Sequence, residues 1–176
     1  MALDDSGCVW VWGYNGYGEI GDGRTQNKPA PYRIPSKYFD NEKIIDIACT
    51  DQSSYARTAS DNIYAWGRNG NGQLGDNTTT DRYRPKKMAN WDPSANNGIA
   101  VWQISGQSNS VWVTLLDGNG YTWFTGQNDY GNAGNGNTSN LSQLTKIETA
   151  PNGDFVDIWT MSVSYTHLTL PTKNEV

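Results

Sequence analysis

The chain has 176 residues with 13 basic and 18 acidic side chains, and the resulting net charge of −5 disfavours binding to nucleic acid phosphates. Only 36% of the residues are apolar, and 8 Trp and 10 Tyr are among them, whereas a helical bundle would need more Leu and Ala. No apolar run approaches the roughly 20 residues of a membrane-spanning helix, and the first residues lack the basic and apolar regions of a signal peptide.

The first predicted element is a strand at 9–12, which follows a Ser6-Gly7 turn and leads into the phrase WGYNGYGEIG from Trp12. Related phrases follow 54 and then a further 59 residues later, WGRNGNGQLG from Trp66 and TGQNDYGNAG from Thr125. Self-similarity at a period of this size indicates a repeat architecture. The 19 glycines supply the positive φ angles that the tight turns of short-stranded folds require.

Three strands are predicted before each later phrase. They lie at 45–49, 54–58 and 63–66 in the second unit, and at 102–104, 110–114 and 121–124 in the third. An Asn119-Gly120 turn separates the last two strands of the third unit, and Asn-Gly between apolar runs is the strongest short hairpin signal. A strand at 155–158 then opens a unit that is not completed.

The repeats divide the chain into consecutive segments. These are a partial unit 1–43, full units 44–98 and 99–153, the start of a further unit 154–162, and a tail 163–176. The tail abandons the repeat and resembles translated sequencing-adapter read-through, so we exclude it from functional reasoning.

The positions that the phrases share predict a scaffold. The Trp ends a strand and fills the gap between neighbouring sheets, the glycines let the chain reverse, and Ile20, Leu74 or Ala133 returns the loop to the core. The residues assigned to this scaffold are Trp12, Gly13, Gly18, Gly21, Trp66, Gly67, Gly72, Leu74, Gly75, Gly126, Gly131 and Gly134.

The segment IACTDQSSYARTASDNIYAWGRNGNGQLG at 47–75 resembles the repeat of the regulator of chromosome condensation family, roughly I-A-C-G-x-x-H-S-x-A-L-T-x-D-G-x-V-Y-x-W-G-x-N-x-x-G-Q-L-G. The resemblance covers about residues 2–160. It implies an all-β fold, a β-propeller of four-stranded blades, commonly seven, of which this chain carries about three. Thr50 and Ser53 stand where the family has Gly and His, and this drift resembles divergent bacterial members.

A seven-bladed ring at this period needs about 350 to 400 residues. The chain is therefore expected to be part of a longer protein, because an open arc exposes sheet faces and edge strands. Self-association of fragments is the other way to close such a ring.

Two copies of the phrase, at 16–21 and 70–75, match the G-x-G-x-x-G pattern of dinucleotide-binding folds. In those folds the glycines open a helix that holds the pyrophosphate. Here both are followed by polar, proline-containing segments without helical periodicity, so the glycines belong to the repeat.

Catalytic chemistry is not indicated, and we expect no enzyme, cofactor or metal site. The single histidine, His167, lies in the excluded tail, and Cys8 and Cys49 are interpreted as unpaired thiols, with Cys49 in a strand. Carboxylates that a glycosidase would need are interpreted as caps of turns. They are Asp4, Asp5, Asp22, Asp51, Asp61, Asp76 and Asp81.

Positions inside the phrase that differ between copies are candidates for contacts with a protein partner, because a rigid scaffold displays its specificity on variable loop residues. They are Tyr14, Tyr17, Arg68, Asn71, Gln127, Asp129 and Tyr130.

The favoured function is a noncatalytic protein-binding propeller segment of a larger bacterial surface or secreted protein, given the acidic, Asn-, Thr- and Trp-rich composition. No nucleic acid or membrane insertion is expected. One alternative is carbohydrate binding, with Tyr14, Tyr17 or Trp91 as stacking platforms. The other, which the resemblance implies, is guanine-nucleotide exchange on a small GTPase.

Overall fold

The computed structural model describes residues 1–93, 115–116 and 122–147, with backbone alone at 115, 116 and 122. These residues form an all-β structure with one short 3₁₀ helix, Ser36–Phe39. The strands are β1 (Ala2–Leu3), β2 (Val9–Gly13), β3 (Lys28–Arg33), β4 (Ile44–Cys49), β5 (Ser53–Thr58), β6 (Ile63–Gly67), β7 (Arg82–Lys87), β8 (Leu115–Leu116), β9 (Thr122–Gly126) and β10 (Leu141–Ile147). No helix among the described residues is long and apolar enough to cross a membrane.

The strands pair into three antiparallel sheets in which neighbours follow chain order. The orders are β1-β2-β3, β4-β5-β6-β7 and, within the described residues, β8-β9-β10. Short turns make this order natural, as at Asp61, whose φ of 59° closes the turn between β5 and β6. Each sheet is therefore a meander built from one stretch of sequence.

The strands predicted for the second unit are confirmed, with each end within one residue of the prediction. In the third unit, the predicted strands 102–104 and 110–114, the Asn119-Gly120 turn and residue 121 lie outside the described residues, as do 155–158 and the tail. Strands β1, β3, β7 and β10 were not predicted. Two residues are too few for β1 to show an alternating pattern, and β3 and β7 contain prolines, which are uncommon inside strands.

The two central strands of the middle sheet, β5 and β6, are buried on both faces, and β6 shows how. Ile63 and Ala65 point into a core shared with the third sheet, whereas Tyr64 and Trp66 point into a core shared with the first. All five residues of β6 are buried as a result. Successive side chains of a strand point to opposite faces, so one strand serves two junctions between sheets.

The predicted packing of Trp12 between two sheets is not seen within the described part of the chain. Trp12 occupies the same phrase position as Trp66, but its side chain is 45% exposed while Trp66 is fully buried. Trp66 faces the first sheet, whereas no described part of the chain covers the corresponding face of β2. The same local sequence therefore lies in two different environments.

Candidate functional site

Three loops of equal length follow the strands that end in the repeated phrase. Residues 14–27 connect β2 to β3, residues 68–81 connect β6 to β7, and residues 127–140 connect β9 to β10. We call them loop 1, loop 2 and loop 3. Loops 1 and 2 lie side by side, because the guanidinium of Arg68 in loop 2 stacks over the ring of Tyr17 in loop 1 at 5.3 Å.

A buried asparagine holds each loop in shape. In loop 2 the Nδ2 of Asn69 donates to the carbonyls of Thr78 at 3.0 Å and Thr80 at 3.1 Å, and its Oδ1 accepts the N–H of Leu74 at 2.9 Å. The backbone N–H of Asn69 donates to the carboxylate of Asp81 at 2.7 Å. A single side chain thus satisfies backbone groups from both arms of the loop, as buried polar groups require.

The same arrangement recurs in the other loops. Asn15 donates to the carbonyls of Arg24 and Gln26 and accepts from Ile20, and Asn128 is bonded likewise in loop 3. These asparagines were not among the residues predicted to form the scaffold. The signal was present, since Asn is identical in all three phrases.

Two scaffold glycines lie directly against the outer strand of the next sheet. A Cβ on Gly18 would be 2.8 Å from the Cα of Tyr83, and one on Gly72 would be 2.5 Å from the Cα of Ser142. Both residues also have positive φ, at 87° and 79°. Glycine is required there both by the backbone conformation and by the close approach of the neighbouring sheet.

Backbone hydrogen bonds attach loops 1 and 2 to the sheet that follows each of them. The N–H of Gly23 donates to the carbonyl of Tyr83 at 2.7 Å, and the N–H of Asn77 donates to the carbonyl of Ser142 at 2.8 Å. These pairs are equivalent in the repeat. Loops 1 and 2 are therefore fixed to two sheets each, and loop 3 continues the rim beside them.

An ion pair lies beneath loops 1 and 2 but not beneath loop 3. Asp22 pairs with Lys28 at 2.9 Å, and Asp76 pairs with Arg82, whereas Asn135 occupies the acidic position in loop 3. Burial alone would raise the pKa of the Asp76 carboxyl, but hydrogen bonds from Thr78 and Arg82 outweigh it and lower that pKa below its ordinary value. Asp76 therefore stays ionised and acts as a structural carboxylate.

The pKa of the Glu19 carboxyl in loop 1 shifts in the opposite direction to that of Asp76. Its Oε2 accepts the N–H of Tyr17 at 2.9 Å, while its Oε1 is buried without a hydrogen-bond partner. Burial, with a smaller contribution from the charge of Asp81, raises the pKa of the Glu19 carboxyl. Loop 2 has Gln73 at this position, and its Oε1 accepts the equivalent N–H of Asn71 without carrying a charge.

The candidate contact residues divide into two groups by exposure. Tyr14 is 61% exposed, Tyr130 is 90% exposed, and Asp129 is also exposed. Tyr17, Arg68, Asn71 and Gln127 are half-buried. Exposed tyrosines on rigid loops are typical of protein interfaces.

The interpretation of Trp91 as a stacking platform is wrong. Trp91 is only 3% exposed, its Nε1 donates to the carbonyl of Asp61, and its ring packs edge-on against Trp123 with centroids 5.6 Å apart. It belongs to the core between the second and third sheets. The sequence around Trp91 could not show that its side chain is buried, because the residue lies in a connecting segment.

The described part of the chain contains no group of three or more His, Cys, Asp or Glu side chains arranged to bind a metal. Asp4, Asp22 and Asp76 each accept a backbone N–H two residues ahead, as expected for carboxylates that cap turns. Cys8 and Cys49 are free thiols, and Cys49 ends β4. The three loops carry tyrosine rings, amides and the guanidinium groups of Arg24 and Arg68.

Comparison with protein families gives matches to the regulator of chromosome condensation (RCC1) repeat at residues 6–57 and 60–106, and to a second profile of the same description at 44–73. The chain is 31% identical to the ultraviolet-B receptor UVR8 of Arabidopsis thaliana, over 65% of this chain and 26% of the receptor. It is 28% identical to the E3 ubiquitin-protein ligase HERC2 of Homo sapiens, over 90% of this chain and 3% of the ligase.

Among solved structures, Prp20p of Saccharomyces cerevisiae superposes with a TM-score of 0.67 at 21% identity, over 86% of this chain and 37% of Prp20p. That structure is described together with the binding properties of Prp20p to Gsp1p and histones. The chain thus spans well under half the length of these relatives. Their shared architecture confirms the predicted fold, an all-β structure of the β-propeller type.

Proposed function

This chain belongs to the regulator of chromosome condensation repeat family, and we propose that it is a noncatalytic, protein-binding segment of a β-propeller. The rim formed by loops 1, 2 and 3 is the proposed contact surface. The observation that carries the proposal is the contrast within each loop, where a buried asparagine fixes the backbone while the neighbouring side chains differ and face outward.

Two features of the rim and one relative support a protein as the partner. Tyr14 and Tyr130 offer exposed aromatic surface, and the pair formed by Arg68 and Tyr17 adds a half-buried guanidinium on a ring. Tyr and Arg are enriched at the centres of protein interfaces, where rigid side chains lose little entropy on binding. A solved relative of the same fold, Prp20p, is described with protein partners.

We place this segment in a larger bacterial surface or secreted protein. The composition supports the placement, with an acidic balance of 18 acidic to 13 basic residues and many Asn, Thr and Trp. Secretion of the intact protein by cells that express the full gene would test it. An intact protein found only in the cytosolic fraction would contradict it.

Site-directed photocrosslinking tests the rim directly. A photoreactive phenylalanine analogue placed at Tyr14 or Tyr130 should crosslink to one protein from the native host, which is identified and then purified for binding measurements. Ile45, 42% exposed on β4 and outside the three loops, is the matched control position and should give no such product.

The binding measurement then decides the assignment. The double variant Tyr14→Ala with Tyr130→Ala should weaken binding of the purified partner by about 2 kcal/mol or more, because exposed aromatic anchors carry much of the energy of an interface. Unchanged affinity would contradict the proposal.

Carbohydrate binding is the competing function that the exposed tyrosines also favour. Saturable binding on a glycan array that is lost in Tyr17→Ala would overturn the preference for a protein partner. Nucleotide release from a member of a panel of purified small GTPases would likewise replace the noncatalytic role with exchange activity.

A further inference from the structure

A second surface, which adjoins the rim and shares loop 1 with it, combines exposed cations with tyrosines. It lies where loop 1, the 3₁₀ helix Ser36–Phe39 and strand β7 meet. We call it the basic patch, and its members are Arg24, Lys37, Tyr38, Tyr83 and Arg84. Basic residues look scattered along the sequence, but folding brings these three cations together.

One tyrosine ring organises two of the cations. The Nζ of Lys37 lies 5.4 Å from the centroid of the Tyr38 ring, and the guanidinium carbon of Arg84 lies 5.5 Å from the same centroid. Each such cation–π contact contributes about 0.5–1 kcal/mol at exposed sites. The Tyr38 ring therefore holds both cations beside it at the surface.

Loop 1 brings the third cation to this place. The guanidinium of Arg84 packs against Gly23, where a Cβ would lie 2.6 Å from its Nη2, and the N–H of Gly23 donates to the carbonyl of Tyr83. Arg24 follows Gly23 and lines a shallow depression of about 390 Å³ together with Tyr83. The depression therefore adjoins the Arg84 guanidinium.

These three cations form no ion pair within the part of the chain that the structure describes. The ion pairs found there use Lys28, Arg57 and Arg82. Arg24, Lys37 and Arg84 are exposed and make no ion pair, although acidic residues outnumber basic ones in the chain. Clustering unpaired cations around aromatic rings is a pattern that fits an anionic ligand.

The size of the patch favours a short acidic peptide segment over nucleic acid. Proteins that bind the phosphate backbone tightly make about six to ten phosphate contacts, more than three cations supply. The carboxylates nearest in sequence are already bonded within the chain, since Asp22 pairs with Lys28 and Asp40 accepts from the hydroxyl of Tyr64. The three cations are therefore left to bind a ligand, and their number matches a short run of Glu or Asp.

We infer that the basic patch is a docking surface for an acidic segment of a partner polypeptide, distinct from the tyrosine contacts of the adjoining rim. Arg84 and Lys37 bind side-chain carboxylates while Tyr38 keeps both cations in place, and Arg24 binds a further carboxylate from the other side of the depression. Such binding weakens as salt rises, because the pairs are exposed to solvent.

Fluorescence anisotropy with a fluorescein-labelled Glu-rich peptide tests this inference. The double variant Lys37→Gln with Arg84→Gln should weaken peptide binding by about tenfold or more at low salt. The matched control, Lys86→Gln with Lys87→Gln, removes the same charge from exposed positions of the same strand β7 and should change the affinity by less than about twofold.

Three outcomes would overturn the inference. They are no binding of the peptide to the native chain, equal losses in the two double variants, and tighter binding of a thymidine oligonucleotide of equal charge than of the peptide. Circular dichroism of each variant confirms that the fold is kept. The result is independent of the rim, because neither double variant changes a residue of loops 1, 2 or 3 that faces the proposed partner.

Discussion

The two junctions between sheets are built from equivalent parts of the repeat, yet they are filled differently. In the first junction, the Nε1 of Trp66 and the Oγ of Ser54 both donate to the carbonyl of Glu19 in loop 1. In the second, Thr125 stands in the position of Trp66, and its Oγ1 donates to the carbonyl of Gly72 in loop 2. A hydrogen bond between strand and loop is thus kept without the large indole, although its acceptor is one residue earlier in the loop.

Each junction also receives an aromatic side chain from a connecting segment. Trp91, in the connection that follows β7, packs against Trp123 in the second junction. In the first junction Phe39, from the equivalent connection after β3, packs against Tyr64 at 5.5 Å and Trp66 at 5.9 Å. The phrase therefore fixes how loop and strand are joined, while the connecting segment adjusts the packing.

The largest expected effect on stability comes from removing the Trp66 indole from the first junction. Trp66→Ala should lower the free energy of unfolding by about 4 kcal/mol, because a fully buried Trp is replaced by a cavity and its hydrogen bond is lost. Urea unfolding followed by circular dichroism measures the change. Trp12→Ala, at the equivalent but 45% exposed position, should cost less than about 1 kcal/mol, and an equal loss at both positions would contradict the comparison.

Removing the aromatic residue of the connecting segment should destabilise both junctions to a similar extent. Phe39→Ala and Trp91→Ala should each cost about 3 kcal/mol, because each leaves a cavity beside an aromatic ring that it contacts edge-on. Thermal unfolding of the two variants tests this. Tyr14→Ala, a change to an exposed aromatic residue, is the control, and little destabilisation by Trp91→Ala would show that Thr125 closes the second junction without help.

Replacing two equivalent glycines should cost different amounts of stability, because only one of them lies against a neighbouring sheet. Gly72 and Gly131 have similar φ angles of 79° and 73°, so Ala costs about 1 kcal/mol at either from backbone strain. A Cβ on Gly72 meets the backbone of Ser142 at 2.5 Å, whereas on Gly131 its nearest neighbour is 3.9 Å away. Gly72→Ala should therefore cost about 2 kcal/mol more than Gly131→Ala in chemical unfolding, and equal costs would mean that the junction opens freely.

The smallest effect concerns the charge in loop 1. The pKa of Glu19 is raised in the folded state, so its contribution to stability is present below its ordinary value of 4.5 and is lost as pH rises through the folded-state value. Glu19→Gln should thus raise stability at pH 7 by about 1 kcal/mol and change it little at pH 4.

The reciprocal change gives the control. Gln73→Glu places a carboxylate at the equivalent buried position of loop 2 and should lower stability at pH 7 more than at pH 4. Unfolding curves at the two pH values measure both effects. Stabilisation by Glu19→Gln that is the same at both pH values would exclude the charge as its cause.

Much of the fold followed from the sequence because its determinants are local. The strands of the second unit alternate in a way that needs no distant information, and their observed ends agree with the prediction. The asparagine at 15, 69 and 128 was equally readable, since it is invariant among the phrases, but its role depends on carbonyls 9 to 11 residues ahead in the loop. Invariance alone does not reveal which groups a side chain satisfies.

The candidate site was only partly predictable for the same reason. Tyr14, Asp129 and Tyr130 are exposed as expected of contact residues, whereas Trp91 is buried. Its partner Trp123 lies 32 positions away in sequence. No local pattern links them.

By itself, the sequence determined the repeat, the strands of the second unit and the backbone of the three loops, because positive φ angles, tight turns and alternation depend on neighbouring residues. Only the tertiary structure decided that Trp66 is buried while Trp12 is exposed, and that Lys37 and Arg84 meet around Tyr38 beside the loop that carries Arg24. Burial and charge clustering are properties of the assembled sheets, since they depend on which distant segment packs against each face.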